Sequence, residues 1–217
     1  INRNRLIALA AYMVSGDKGG VTVVTDSVTS DGLHEYLENT LGDTHYRYRR
    51  GYKNVINKAL ELCKNGIDCP LAIETSGHAA LRENYFLDDG AYLVTKIVIE
   101  LARGKDIEDI LKPLKTPAEE KECRFNILCD DFKAYGNTVI DELTKYAESR
   151  PDYKIASDNR EGVRISTENG FFLLRLSVHD PVMPMNFESN VKGGIKKDID
   201  GIKGFFERFK ELDISSL

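Results

Sequence analysis

The chain has 217 residues, 41% of them hydrophobic and 30% charged, which is the usual composition of a globular protein with a buried core. Its formal net charge of −5 argues against a nucleic-acid or membrane surface as the main partner, and no apolar run approaches the roughly 20 residues of a membrane span. The cysteines, Cys63, Cys69, Cys123 and Cys129, show no C-x-x-C pair and no metal-ligand spacing. We therefore expect reduced thiols, a cytoplasmic location and no metal site.

In the first half, strands and helices are predicted in alternation. The chain begins at Ile1, without an initiator methionine, and runs directly into a helical pattern, so we expect a piece of a longer protein. Apolar spacing predicts four helices: one over 4–14, one that begins at the Ser30-Asp31 cap, one around Val55, Ala59 and Leu62, and one from Asp88-Asp89 to Arg103-Gly104. A turn is predicted over 15–20, and strands are predicted over 21–25, 44–48 and 71–73. This alternation predicts a mixed, mostly parallel α/β domain.

The second half has a different pattern. Pro113, Pro117 and the charged residues 119–122 predict a linker, so we place the domains at 1–116 and 117–217. Beyond it we predict strands over 123–128, 163–167, 171–176 and 182–188, a helix over 132–149 and a terminal helix around Ile195–Phe209. Pro184 predicts an edge strand or a bulge. This is a smaller α+β domain with an antiparallel sheet and helices on one face.

Two short polar segments follow apolar runs. Glu74-Thr75-Ser76-Gly77-His78 offers a carboxylate, two hydroxyls and an imidazole, which suit a polyhydroxylated ligand; the alternative is a turn whose side chains satisfy backbone donors. Arg175-Leu176-Ser177-Val178-His179-Asp180-Pro181 offers a guanidinium and a hydroxyl, which suit a phosphate; the alternative is a solvated hairpin rim. Together they suggest a sugar-phosphate ligand.

A third cluster interleaves aromatic and basic residues. Tyr46, Tyr48 and Tyr52 alternate with arginines at 47, 49 and 50, a pattern also found in nucleic-acid surfaces. Since the chain is acidic, we favour an edge strand followed by a ligand-facing loop. The aspartates at 26, 31, 88 and 89 lack the spacing of an oxygen cluster, so we assign them no metal.

Several motifs, taken together, resemble the α-D-phosphohexomutases, close to the bacterial phosphomannomutase/phosphoglucomutase branch. Residues 25–30 resemble the opening of that family's third domain, 74–78 its E-x-S-G-H loop and 86–90 its F-x-D-D-G helix start. Residues 162–164 match its G-V-R strand, and Arg175-Leu176-Ser177 matches the start of its R-x-S-x-T-x-P phosphate loop. The matches occur in family order along nearly the whole chain.

The resemblance implies the third and fourth domains of a phosphohexomutase. Such an enzyme interconverts hexose 1-phosphate and 6-phosphate through a phosphoserine and a bisphosphate intermediate. The family's phosphoserine loop and D-x-D-x-D-R metal loop do not occur in this sequence, and Asn2-Arg3-Asn4-Arg5 resembles the segment after the metal loop. We therefore expect no cofactor here, Mg²⁺ in the full-length enzyme, and no turnover by this part alone. The implied partners are hexose phosphates and the N-terminal domains of the same chain.

Carried over by residue, the resemblance assigns the site. Glu74 and Ser76 would bind sugar hydroxyls, with His78 assisting proton transfer. Arg175, Ser177 and His179 would hold the non-reacting phosphate, and Gly51 and Tyr52 would form a further substrate-facing loop. The chain departs from the family at His179 (usually Thr), Val178 (usually Asn or Gly), Ile73 (usually Gly) and Val28 (Lys in some members). The alternatives are a stand-alone sugar-phosphate binding module and a phosphoglucosamine mutase.

Overall fold

The computed structural model describes residues 3–16 and 19–217, and it divides into two compact units, Ile1–Thr116 and Pro117–Leu217. Four residues lie outside the described ranges: Ile1 and Asn2, the first two of the sequence, and Asp17 and Lys18, in the predicted turn over 15–20. Across the described ranges, no helix is both long and apolar enough to cross a membrane.

Unit 1 is built on a four-stranded sheet in the order β2-β1-β3-β4, in which β1 pairs in parallel with β2 and β3, and β4 is antiparallel to β3. Its strands are β1 (Thr22–Asp26), β2 (Thr44–Tyr48), β3 (Leu71–Ile73) and β4 (Ala79–Leu81). Its helices are α1 (Arg3–Ser15), α2 (Asp31–Glu35, continued by a π-turn over Tyr36–Thr40), α3 (Tyr52–Lys64), α4 (Gly90–Ala102) and α5 (Ile107–Leu111), with a 3₁₀ turn over Arg82–Asn84.

The central strand of unit 1 is covered on both faces. Val23 packs in one apolar cluster with Leu9 of α1, and Val24 packs in a second cluster with Val55 and Ala59 of α3. Because both faces of β1 are buried, its sequence is a continuous β-branched run rather than an alternating one. This packing fixes the carboxyl ends of β1 and β3 side by side.

Unit 2 is built on a six-stranded antiparallel sheet in the order β10-β5-β9-β8-β7-β6. The strands are β5 (Glu119–Ile127), β6 (Lys154–Ile155), β7 (Val163–Ser166), β8 (Gly170–Leu174), β9 (Val182–Ser189) and β10 (Leu212–Asp213). The helices are α6 (Phe132–Glu148) and α7 (Gly194–Phe206). Both helices pack into one apolar cluster with Phe125 and Phe172 of the sheet. The predicted fold class, an α/β domain followed by an antiparallel α+β domain, is confirmed.

Two details differ from the sequence-based expectations, and one predicted helix buries little of its apolar surface. The charged residues 119–122, predicted as linker, begin β5: none of the four is buried, and they belong to the strand because they pair with residues 186–189 of β9. Pro184 lies in β9, an inner strand, rather than at an edge. In α4 only Leu93 is fully buried, whereas Val94 and Leu101 are about half exposed, so its apolar stripe is wider than its contact with the sheet.

Pro184 is tolerated inside the sheet for a geometric reason. Its partner across the β5–β9 pair, Arg124, exchanges both backbone hydrogen bonds with the hydroxyl of Ser216 (3.0 and 2.8 Å). The Arg124–Pro184 pair therefore needs no ladder bond on the β5 side. Toward β8, Pro184 lies opposite Arg175, beyond the last residue of that strand, so its missing N–H costs one bond at the strand end rather than one within the ladder. The Pro184 carbonyl accepts from the N–H of Arg175 (3.0 Å), one residue beyond β8.

Candidate functional site

The segment Glu74–His78, called the sugar loop below, connects β3 to β4 as a hairpin turn. The Glu74 N–H donates to the His78 carbonyl (2.9 Å), and the Gly77 N–H donates to the Glu74 carbonyl (3.0 Å). Gly77 has a φ of +100°, which an L-residue adopts only with strain. The strand β4 was not predicted, because its three residues, Ala79–Leu81, include no β-branched or aromatic side chain.

Glu74 is the polar centre of this loop. Its side chain is buried, and its Oε1 accepts a 2.6 Å hydrogen bond from the N–H of Gly51, the residue before α3. The hydroxyl of Ser76 lies 3.4 Å from its Oε2. The fold therefore brings together Glu74, Ser76 and Gly51, which the sequence placed in two separate loops.

His78 is held between two side chains. Its Nδ1 lies 2.7 Å from Oδ2 of Asp88, and its ring stacks on the ring of Tyr52 with centroids 5.2 Å apart. An Nδ1–H bonded to a carboxylate leaves the neutral ring with Nε2 as a proton acceptor. Asp88, assigned only as part of a helix start, was missed as the partner of His78; its place in the F-x-D-D-G segment was the one signal available.

A second carboxylate lies behind the sugar loop. Asp26, at the end of β1, has no exposed surface, and its Oδ2 accepts from both the N–H (3.2 Å) and the hydroxyl (2.6 Å) of Thr75. Burial raises the pKa of Asp26 to about 6; the bonds from Thr75 and the nearby Arg50 lower it, and the negative charge of Glu74 raises it.

The pKa of Asp26 predicts a pH dependence of stability. Since the pKa is higher in the folded chain (about 6) than the ordinary value of 3.8, the folded state holds the proton more tightly. Asp26 therefore contributes its whole stabilising free energy at a pH below its pKa in the unfolded chain. This contribution is lost as the pH rises through its pKa in the folded chain. We expect the free energy of unfolding to lose about 3 kcal/mol from this group as pH rises from about 3 to about 7. Urea unfolding of the wild type and of Asp26→Asn across this range measures it; parallel pH profiles would contradict it.

In unit 2, the segment Arg175–Pro181, called the phosphate loop below, connects β8 to β9. The Ser177 N–H donates to the Val182 carbonyl (2.9 Å), and the Ser177 hydroxyl accepts from the Asp180 N–H (3.2 Å). Val178 and His179 are exposed at the tip of this turn. Ser177 and Arg175 therefore lie at the base of the turn, and His179 lies at its tip.

Arg175 is not the solvated rim residue that the alternative reading of the loop proposed. Its side chain is 7% exposed, and its guanidinium lies 3.8 Å from the carboxylate of Glu161, which is itself 14% exposed. Gly162 has a φ of +58°, and its Cα lies so close to the Leu174 carbonyl that a Cβ would come within 2.0 Å of it. This close approach brings Glu161 next to Arg175. No motif or spacing in the sequence marks Glu161 as the partner of Arg175.

The His, Cys, Asp and Glu side chains of the described residues do not form a metal-binding site. Within residues 3–16 and 19–217, no group of three or more His, Cys, Asp or Glu side chains could hold a metal ion. The residues present therefore do not fit a magnesium site.

The comparison with known proteins identifies the family. The family model for phosphoglucomutase/phosphomannomutase, alpha/beta/alpha domain III, matches residues 2–116. This chain belongs to the phosphoglucomutase/phosphomannomutase family. Among curated relatives, the phosphoglucomutase of Neisseria meningitidis is 28% identical over 138 residues, which are 63% of this chain and 29% of that protein. The phosphomannomutase/phosphoglucomutase of Pseudomonas syringae pv. tomato is 26% identical over 205 residues, or 94% of this chain and 40% of that protein.

Solved structures share the fold. A phosphoglucomutase/phosphomannomutase family protein from Burkholderia thailandensis superimposes with a TM-score of 0.76 at 23% identity, covering 96% of this chain and 42% of that one. The N-acetylphosphoglucosamine mutase of Aspergillus fumigatus, solved in complex with GlcNAc-6P and magnesium, has a TM-score of 0.57 at 11% identity, with 93% of this chain and 46% of that chain covered. The chain thus spans less than half the length of these relatives.

Proposed function

We propose that this chain supplies the sugar-hydroxyl and phosphate contacts of a phosphohexomutase that interconverts hexose 1-phosphates and 6-phosphates, with phosphomannomutase/phosphoglucomutase activity in the full-length protein. The observation that carries the proposal is the convergence of Glu74, Ser76 and Gly51 in unit 1. Vicinal sugar hydroxyls need donors and acceptors side by side, and a carboxylate beside a hydroxyl provides both.

Each side chain has a proposed role in this function. Glu74 and Ser76 bind sugar hydroxyls, Gly51 and Tyr52 line the same loop region, and His78 moves a proton at Nε2 while Asp88 fixes its tautomer. In unit 2, Arg175, Ser177 and His179 bind a phosphate. Phosphoryl transfer relies on positioning and charge neutralisation, which is what such contacts supply. The phosphoserine and Mg²⁺ of the proposed full-length enzyme would come from other domains. The free thiols of all four cysteines support a cytoplasmic location.

Two rival functions remain testable. A stand-alone sugar-phosphate binding module would use the same two loops but would lack any relation to a catalytic partner. A phosphoglucosamine mutase would prefer an amino sugar, and the A. fumigatus neighbour is a precedent for an N-acetylated ligand in this fold.

The test of the proposed function is a ligand titration of the 217-residue chain. We expect saturable binding of glucose 1,6-bisphosphate and of hexose monophosphates, observed by NMR shifts of the Glu74–His78 amides, and no conversion of glucose or mannose 1-phosphate to 6-phosphate. Turnover by this chain alone would contradict the proposal that other domains supply the phosphoserine and Mg²⁺. Absence of any sugar-phosphate binding would contradict the proposed function. If only glucosamine phosphate binds, the phosphoglucosamine mutase reading is correct.

A further inference from the structure

A carboxylate with no ligand-facing surface lies directly beneath the sugar loop. Asp26 ends β1, an inner strand of the unit 1 sheet, and none of its surface is exposed. Its Oδ2 accepts two hydrogen bonds from Thr75, which is 49 residues away in the sequence. Its other oxygen, Oδ1, is buried and has no hydrogen-bond partner in the described part of the chain.

This arrangement is costly for a purely structural side chain. Burying a carboxylate carries a large desolvation penalty, and an oxygen without a partner adds to it. A neutral asparagine would offer Thr75 the same acceptor without a buried charge. What the charge adds is strength, because hydrogen bonds to an ionised acceptor are roughly twice as strong as neutral ones. The charge is therefore best explained by a need to hold Thr75 firmly.

Thr75 is the residue between the two proposed sugar-binding side chains. Both its backbone N–H and its hydroxyl are held by Asp26, so its position and its side-chain rotamer are both fixed. Since consecutive Cα atoms are about 3.8 Å apart, fixing Thr75 restricts Glu74 and Ser76 on either side. The loop needs such a restraint because Gly77, which follows, has open space around it and a wide choice of backbone conformations.

The electrostatics also link Asp26 to Glu74. The negative charge of Glu74 is one cause of the raised pKa of Asp26, so the two carboxylates repel each other. The Glu74 carboxylate is bonded on its other side to the N–H of Gly51 (2.6 Å). Repulsion from Asp26 and attraction to Gly51 act together to select one orientation of the Glu74 side chain.

We propose that Asp26 is a positioning residue of the sugar loop: by holding Thr75 it preorganises Glu74 and Ser76 for sugar hydroxyls without contacting the ligand itself. The inference rests on the proposed function for the identity of the ligand. The preorganisation itself is a property of the free chain. A preorganised loop binds more tightly because less conformational freedom is lost on binding.

The experiment compares Asp26→Ala with a matched control, Asp43→Ala. Asp43 is also a buried aspartate, but its carboxylate accepts from Ser15 (3.0 Å) and Val21 (3.2 Å), outside the sugar loop. Hydrogen exchange of the Ser76 and Gly77 amides is measured in the ligand-free 217-residue chain. We expect at least tenfold faster exchange of these amides in Asp26→Ala and unchanged exchange there in Asp43→Ala, even if both variants lose similar stability.

A second arm measures the dissociation constant for glucose 1,6-bisphosphate. Asp26→Ala should raise it at least tenfold, while Asp26→Asn, which retains an acceptor for Thr75 but lacks the charge, should raise it by an intermediate factor of about three to ten. Should Asp26→Ala fail to fold, Thr75→Val removes the hydroxyl bond alone and should accelerate Ser76 and Gly77 exchange to a smaller degree.

The two arms separate the possible failures. If the loop amides of Asp26→Ala exchange at the wild-type rate, the positioning role is wrong whatever the ligand is. The same conclusion follows from wild-type exchange in Thr75→Val, should Asp26→Ala not fold. If Asp26→Ala loosens the loop but the wild type binds no sugar phosphate, the preorganisation stands and the proposed function is wrong. If Asp43→Ala loosens the sugar loop equally, the effect is general destabilisation and the inference is overturned.

Discussion

Arg175→Lys is expected to weaken phosphate binding by this chain on the order of 2–4 kcal/mol, or roughly 30- to 1,000-fold in dissociation constant. Lysine keeps the charge but lacks the planar fork that binds two phosphate oxygens at once. The measurement is a titration of the 217-residue chain with inorganic phosphate and with glucose 6-phosphate, beside a thermal melt.

The burial of Arg175 changes how this result must be controlled. Because the guanidinium lies 3.8 Å from Glu161 and both side chains are largely buried, Arg175→Lys will also cost some stability. Glu161→Gln is the matched control, since it removes the carboxylate that competes with phosphate for the same guanidinium. We expect Glu161→Gln to bind inorganic phosphate several-fold more tightly than the wild type.

The double variant decides between a ligand role and a structural one. Arg175→Lys combined with Glu161→Gln should still bind phosphate roughly 30- to 1,000-fold more weakly than Glu161→Gln alone, since the fork is missing in both backgrounds. If Arg175→Lys causes no such loss in the Glu161→Gln background, or binds phosphate normally by itself, then Arg175 serves the fold of unit 2 and its assignment to phosphate is wrong.

The second large effect is expected at Glu74. Glu74→Gln preserves the shape of the side chain and an oxygen for the Gly51 N–H, but it replaces a charged acceptor by a neutral one. Since hydrogen bonds to charged groups contribute about 1.5–3 kcal/mol, we expect glucose 6-phosphate to bind roughly 10- to 150-fold more weakly. Inorganic phosphate, which has no sugar hydroxyls, should bind as it does to the wild type.

Glu74→Gln also makes an electrostatic prediction that does not require a ligand. The charge of Glu74 raises the pKa of Asp26, so its removal should lower that pKa, which an NMR titration of the Asp26 carboxyl measures directly. Ser76→Ala is the milder companion variant, because it removes one exposed hydroxyl and should cost about 1 kcal/mol of binding. If Glu74→Gln binds glucose 6-phosphate normally, then Glu74 has only the structural role of accepting the hydrogen bond from Gly51.

Much of the fold could be predicted because its signals are local. The strands Thr44–Tyr48 and Leu71–Ile73 were predicted with the bounds that the structure has, and the Ser30 and Asp89 caps begin helices as predicted. A β-branched run or a capping side chain acts through its immediate neighbours, and so it is legible in the sequence. The elements β4, β6 and β10 were missed: β6 and β10 have two residues each, and β4, Ala-Ala-Leu, has no β-branched residue to indicate a strand.

The site divides along the same line. The sugar loop and the phosphate loop are contiguous motifs, so the sequence by itself determined which residue types they contain, the fold class and the resemblance to the family. Only the tertiary structure decided what stands against each loop: Asp26 beneath Thr75, Asp88 and Tyr52 on either side of His78, and Glu161 against Arg175. Except for Glu161, which a glycine at a crowded turn brings into place, these contacts join residues on different elements. The order of the strands and the close approach of backbone segments determine these contacts. Both features depend on how the whole core packs rather than on any local sequence pattern.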